Sequence, residues 1–318
     1  MKKLALSLAA GLLSAVMAAP ASANYSQVIT FGDSLSDNGN LFHLIGQPPA
    51  PYYNGRFSNG PVAVEVMSQS LGLSLTDFAY GGAQTGTTNL LGAGLNGTGV
   101  AGQIGYYGSL TGGHADASAL YVVWAGPNDF FAGTNMLNPS TPVSASTNLL
   151  NDIQSLYSMG ARDFFVPLMP NLGVTPSARQ TDAAHPGFAA VATGQSLTYN
   201  SLLTSGLSSL SSTLTGVHIQ TFDTYSFLMN QITVMNGEGK NTTDSCFNAS
   251  VPSLCANPDN YLFWDGVHPT AAAHRVLGQA FAAAVPEPET YAMLLAGLGV
   301  AVLMQRRKAK QANEAEVA

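Results

Sequence analysis

Apolar positions along the chain recur in two distinct patterns. Runs at residues 28–31, 77–80, 119–124, 163–168 and 217–222 are apolar or rich in β-branched and aromatic side chains, and between several of them apolar positions recur at helical spacing. The run Ala-Leu-Tyr-Val-Val-Trp at 119–124 is apolar throughout. Such a run predicts a strand covered on both faces, as in a parallel sheet flanked by helices. Ser58 or Asn59 offers a helix cap ahead of Pro61, with Val62, Val66 and Met67 turned inward and Gly72 as the stop. Leu149, Leu150, Ile153, Leu156 and Tyr157 share one face of a second helix that stops at Gly160. An alanine-rich stretch after residue 269 predicts a last helix. Strands alternating with helices predict a doubly wound, three-layer α/β/α domain around five mostly parallel strands. Residues 90–113 and 237–260 have neither period and are expected to be surface loops.

Both ends break the pattern differently. Lys2 and Lys3 precede an apolar run at 4–17, and Ala21-Ser22-Ala23 supplies the small residues of a cleavage site. This predicts a cleaved export signal over residues 1–23. The alternative, a membrane anchor, is disfavoured because the run is shorter than the roughly 17 to 25 residues a spanning helix needs. At the other end Pro286-Glu287-Pro288 leads into an apolar run at 291–304 and then Arg306, Arg307, Lys308 and Lys310. The three parts in this order resemble the PEP-CTERM sorting tail of exported bacterial proteins. The resemblance implies recognition at the membrane and removal by an exosortase. A permanent tail anchor is the alternative, and its apolar run is marginal for spanning. The expected organisation is therefore a signal peptide at 1–23, one domain at 24–285 and a sorting tail at 286–318, with membrane contact only through the terminal segments.

Charge narrows the partners. Within the domain five basic residues (Arg56, Arg162, Arg179, Lys240, Arg275) face fourteen acidic ones. Neutralising phosphates needs clustered Lys and Arg, so nucleic acid is excluded as a partner. Cys246 and Cys255 are the only two cysteines. In an exported protein a pair this close predicts a local disulfide, worth about 2 to 3 kcal/mol by loop entropy; two buried thiols are the alternative. No Cys-x-x-Cys or flanking His completes a metal ligand set. The stretch after Asp33 lacks the closing Glu of a calcium loop, with Leu44 in its place. No metal and no cofactor is expected.

The polar residues with chemical potential follow the strands. Ser34 follows the first, Gly81 and Gly82 the second, Asn128 the third, and Asp265 and His268 lie near the end of the domain. In doubly wound sheets ligands bind beyond the carboxyl ends of the strands, where these residues fall. Acyl transfer through serine needs a hydroxyl, a base, a carboxylate to orient the base and donors for an oxyanion, and all four kinds are present. Asp265 and His268 are three apart, so one turn brings the carboxylate to a ring nitrogen. Each residue also has a plainer use: Ser34 as a turn residue, Asn128 in an Asx turn, Asp129 as a helix cap. His43, His114, His185 and His218 lack a spaced carboxylate, and His274 is expected to be exposed on the last helix. Arg56 is expected to anchor its loop to an acidic neighbour.

The blocks Gly32-Asp33-Ser34-Leu35, Gly81-Gly82-Ala83, Gly126-Pro127-Asn128-Asp129 and Asp265-Gly266-Val267-His268 resemble those of the GDSL, or SGNH, esterases and lipases. "FGDSLSDNGN", "GRFSNGP" and "WDGVHPT" are most similar to the branch of bacterial phospholipases and thermolabile-haemolysin-type hydrolases. The resemblance covers about residues 28 to 285 and implies a flavodoxin-like fold. It implies Ser34 as nucleophile, His268 as general base and acid, and Asp265 as its carboxylate partner. It further implies an oxyanion hole from the Ser34 N–H, a glycine N–H and the Asn128 amide, with Gly82 preferred to Gly81. The Gly-x-Ser-x-Gly elbow of α/β-hydrolases is absent, since Ser36 stands where its last glycine would be. The implied activity is an exported ester hydrolase of a Gram-negative-type bacterium, acting on lipid or short-chain acyl esters through an acyl-serine. Two alternatives stand beside it: a deacetylase or acyltransferase on surface polysaccharide, and a non-catalytic surface or matrix protein on the same scaffold.

Overall fold

A computed structural model describes residues 25–250 and 253–285. The expected export signal and sorting tail lie outside the described residues. Strand β1 (Val28–Gly32) is followed by helices α1 (Asn40–Ile45) and α2 (Ala63–Ser70), then by β2 (Leu75–Asp77), α3 (Val100–Leu110) and β3 (Leu120–Trp124). Next come α4 (Pro127–Phe131), α5 (Thr141–Met159), β4 (Asp163–Pro167), α6 (Pro176–Ala184), α7 (Phe188–Thr213), β5 (His218–Phe222) and α8 (Thr224–Gly237). Short strands β6 (Asn241–Ser245), β7 (Phe247–Asn248), β8 (Ser253–Leu254) and β9 (Tyr261–Phe263) precede α9 (Ala271–Ala284).

β1 to β5 form one sheet in the order β2-β1-β3-β4-β5, and every pairing is parallel. This is the doubly wound α/β class, in the flavodoxin-like order. Side chains alternate across it as strand geometry requires. Ile29, Phe31, Tyr121, Val123, Phe164 and Val166 join the core beneath α3, α5 and α7. Val28, Leu120, Val122, Trp124 and Phe165 join the opposite core, with α2 and α9. Burial on both faces explains the unbroken apolar run at 119–124.

Several boundaries differ from the sequence-based expectations. Residues 90–113 are not all loop: α3 occupies 100–110 and buries Val100, Gln103, Ile104 and Tyr107. Residues 237–260 hold three short strands, of which β6 pairs in parallel with β9. β2 starts at Leu75, while the predicted stretch beyond Asp77 runs on beside β1 through Phe78 N–H to Thr30 O and Tyr80 N–H to Gly32 O. Ser58 and Asn59 do not cap α2, which starts after Val62. Their side chains reach the start of α9 instead, with Ser58 Oγ donating to Pro269 O at 2.9 Å and Ala271 N–H donating to Asn59 Oδ1 at 2.7 Å. The expected helix from the apolar face of residues 149–157 is α5, and Gly160 at φ 120° ends it.

Candidate active site

The turn after β1 is built from backbone and carboxylate bonds. Gln103 grips the end of the strand: Gly32 N–H donates to its Oε1 at 2.9 Å, and its Nε2 donates to Gly32 O at 2.8 Å. A Cβ at Gly32 would lie 2.5 Å from Trp124 O, so only glycine fits between the two central strands. Ser36 N–H and Asp37 N–H both donate to Asp33 O, and Leu35 N–H donates to Asp33 Oδ1, closing a tight turn with Ser34 on its crest. Asp37 then ties this turn to the one after β2. Its Oδ1 accepts Gly39 and Asn40 N–H at 2.8 and 2.6 Å, and its Oδ2 accepts Leu41 and Gly81 N–H at 3.2 and 2.7 Å. Burial raises the Asp37 carboxyl above its usual range, and these four N–H bonds oppose the rise.

The second half of the site lies between β9 and α9. Asp265 Oδ1 accepts the N–H groups of Val267 and His268 at 2.9 and 2.8 Å, folding one turn back on itself. His268 Nδ1 is 2.9 and 2.8 Å from the two Asp265 oxygens, and its Nε2 is 2.8 Å from Ser34 Oγ. The carboxylate on the Nδ1 side favours the tautomer in which Nε2 can accept the Ser34 proton. Burial would raise the Asp265 carboxyl, but the His268 charge and these hydrogen bonds outweigh it and hold the group at about 2. Residues 234 positions apart are thus in hydrogen-bonding contact.

The remaining candidates border the same space. Ser34, Gly82, Asn128 and His268 all line one cavity of about 630 Å³. Gly81 does not line it, and its N–H is taken by Asp37. Gly82, at φ 77°, has an N–H with no partner among the described residues, as does the N–H of Ser34. Asn128 sits in the first turn of α4 and donates one amide hydrogen to Ala83 O at 2.9 Å. Cys246 and Cys255 form the expected disulfide, with Cα atoms 4.8 Å apart. Arg56 pairs with Glu65 at 2.6 Å.

His274 departs from expectation. It is fully buried, its Nδ1 accepts Ala63 N–H at 3.1 Å, and burial lowers its pKa to about 3, so it is neutral. It belongs to a ladder that sequence reasoning missed. Tyr52 Oη meets Asp265, Phe57 lies 5.0 Å from the His268 ring, Ser58 meets Pro269, Asn59 meets Ala271, and Ala63 meets His274. The segment 52–63 therefore runs in register with 265–274. The only signal for it in the sequence is the "GRFSNGP" block itself.

A family model described as GDSL-like Lipase/Acylhydrolase matches residues 28–281. The chain belongs to this family. A GDSL esterase/lipase of Arabidopsis thaliana is 28% identical over 312 residues, covering 79% of this chain and 88% of the relative. The phosphatidylcholine-sterol acyltransferase of Aeromonas hydrophila is 31% identical over 171 residues, 52% of this chain and 50% of that protein. Among solved structures, a lipolytic protein of the G-D-S-L family from Veillonella parvula aligns with a TM-score of 0.44 at 16% identity, covering 80% of this chain and 94% of that one. A second model, the PEP-CTERM protein-sorting motif, matches residues 284–308 and implies export with exosortase processing. Among the described residues no helix is long and apolar enough to cross a membrane. The GDSL chain is a carboxylic ester hydrolase.

The GDSL scaffold also carries a cost in charge. Asp33 and Asp129 adjoin Ser34 and Asn128 in the chain, and Asp152 on α5 is within electrostatic reach of Asp129. Burial raises these carboxyls to about 7, about 6 and about 8 respectively. An acid whose folded value exceeds its unfolded value of about 3.9 holds its proton more tightly when folded, so stability falls as pH rises from there through the folded value. The Asp152 Oδ2 has no hydrogen-bond partner among the described residues. Asp152→Asn is therefore expected to raise Tm by several degrees at pH 9 and little at pH 5, checked by calorimetry at both. Asp265 has the opposite sign: its contribution is in place above its unfolded value and is lost only as pH falls through about 2.

Proposed function

We propose that the protein is an exported esterase for medium- and long-chain acyl esters, working through an acyl-serine on Ser34, and held at or released from the surface of a Gram-negative-type cell. The observation that carries this reading is the 2.8 Å contact of Ser34 Oγ with His268 Nε2 at the wall of an apolar cavity. Ser34 Oγ attacks the ester carbonyl carbon while Nε2 takes its proton. The resulting oxyanion accepts from the Ser34 and Gly82 N–H groups and from Asn128 Nδ2. As the tetrahedral centre collapses, the C–O bond to the alcohol breaks and the imidazolium returns the proton to the leaving oxygen. Water then repeats the sequence on the acyl-serine, and Asp265 stabilises the imidazolium in both halves.

The preference for longer acyl chains follows from α8. Phe227, Leu228, Val234 and Met235 line the cavity together with Gln231, and Thr224 alone among the residues of α8 is buried. Val276 and Leu277 on α9 line the same space. A helix that turns apolar side chains to a cavity beside the nucleophile suits an acyl chain. Each methylene buried is worth about 0.8 kcal/mol, at most roughly fourfold in kcat/KM. Hydrolysis of p-nitrophenyl esters by the full-length chain is expected to improve by at least about tenfold in kcat/KM from acetate to octanoate. A preference for acetate, or faster release of acetate from an acetylated glycan than of octanoate, would favour the polysaccharide deacetylase alternative and overturn this one.

A further inference from the structure

We propose that Tyr52 is a positioning residue of this esterase: its hydroxyl fixes the Asp265 carboxylate against the N-terminal half of the chain and so sets where His268 meets Ser34. The inference rests on the reading of Ser34, His268 and Asp265 as the reacting set. Tyr52 Oη donates to Asp265 Oδ2 at 2.7 Å, across 213 positions of sequence.

The bonds to Asp265 are unequal in what they can fix. Both carboxylate oxygens lie at nearly the same distance from His268 Nδ1, so the imidazole alone does not choose the rotation of the carboxylate. Oδ1 is held by the N–H groups of Val267 and His268, but these belong to the same turn and move with it. Tyr52 supplies the donor that comes from elsewhere. Ser34 sits on the turn after β1, in the same N-terminal stretch as Tyr52, whereas Asp265 and His268 enter between β9 and α9. The 2.8 Å contact between Ser34 and His268 depends on how these two stretches register. Tyr52 is the rung of the 52–63 ladder that reaches a carboxylate of the reacting set directly.

The phenol is itself well placed to act as a constant donor. Burial and the neighbouring Asp265 charge push its pKa far above the ordinary value, so it keeps its proton at any working pH. Its ring is edge-on to Phe57, Phe247 and Trp264, at centroid distances of 6.0, 5.6 and 6.2 Å. Phe247 stacks on Trp264 at 5.7 Å and directly follows Cys246 of the disulfide. The backbone closes the same wall, with Phe247 N–H donating to Trp264 O and Trp264 N–H to His268 O. Ring packing thus orients the hydroxyl, and a phenylalanine at position 52 keeps every ring contact while removing the one donor.

Tyr52→Phe in the full-length chain separates these roles. The expected result is a fall in kcat of about tenfold with KM within about twofold, and a Tm lowered by a few degrees, the scale of one lost hydrogen bond to a charged group. The rate of Ser34 labelling by a fluorophosphonate should fall by the same factor, because it too depends on His268 placement. Tyr53→Phe, whose exposed ring lies beside Arg56, is the matched control and should keep parental kcat. A Tyr52→Phe enzyme with kcat within twofold of the parent, or one changed in KM alone, overturns the inference. Ser34→Ala run in parallel keeps the two levels apart: if it stays active, the reacting set itself is misassigned, whereas an inactive Ser34→Ala beside an unaffected Tyr52→Phe overturns only the role of Tyr52.

Discussion

Ser34→Ala is expected to lower the hydrolysis of p-nitrophenyl esters by at least about four orders of magnitude while leaving Tm within a degree or two of the parent. The size follows from what the substitution removes. Among the described residues the Ser34 hydroxyl has one hydrogen-bond partner, His268 Nε2 at 2.8 Å. Asp265 keeps its bonds to the imidazole, to Tyr52 and to two backbone N–H groups, so the acid–base turn stays assembled. What is lost is the covalent route; what remains is binding in the cavity and any oxyanion donation to attack by water. Loss of fluorophosphonate labelling in the same variant would separate an esterase from an inert protein on this scaffold, since an inert site would not be labelled in the parent either. Turnover within tenfold of the parent would remove Ser34 as the nucleophile and, with it, the acyl-enzyme.

How much of this was legible in the sequence depended on whether a residue's surroundings are local. The strands were readable because a parallel sheet covered on both faces leaves an unbroken apolar run, as at 119–124. α5 was readable because Leu149, Ile153 and Leu156 repeat at helical spacing. α3 was hidden for the opposite reason: Gly102, Gly105 and Gly108 dilute its apolar period, yet a Cβ at Gly102 would lie 2.2 Å from Gly97 O, so small size is required there. In α7 the buried stripe includes Gln195, Ser196 and Asn200, polar residues that mask a helical period of burial. The Asp265–His268 pair was legible because it closes within one turn. Its contact with Tyr52 was not, since a phenol in a proline-rich stretch gives no sign of a partner 213 positions away. His274 illustrates the same limit. An alanine-rich helix gave no cue that α9 would bury it against Ala63, a residue 211 positions away in the chain.

The second large effect is expected at Asn128. Asn128→Ala should lower kcat by about two to three orders of magnitude with KM changed by less than about threefold, the behaviour of an oxyanion donor rather than of a binding contact. The local structure explains why the loss should be confined to the transition state. One amide hydrogen of Asn128 is committed to Ala83 O at 2.9 Å, which fixes the plane of the side chain on the turn that also carries Gly82. The other hydrogen is left for a substrate oxygen, and its bond strengthens only as that oxygen becomes an anion. Asn128→Asp tests this directly. It keeps the size of the side chain but replaces both donors with acceptors, and places a negative charge where the oxyanion forms. Its kcat should therefore fall at least as far as that of the alanine variant. If the aspartate variant were faster than the alanine one, or if both acted through KM, the amide would be holding the Ala83 turn in place rather than stabilising the developing charge.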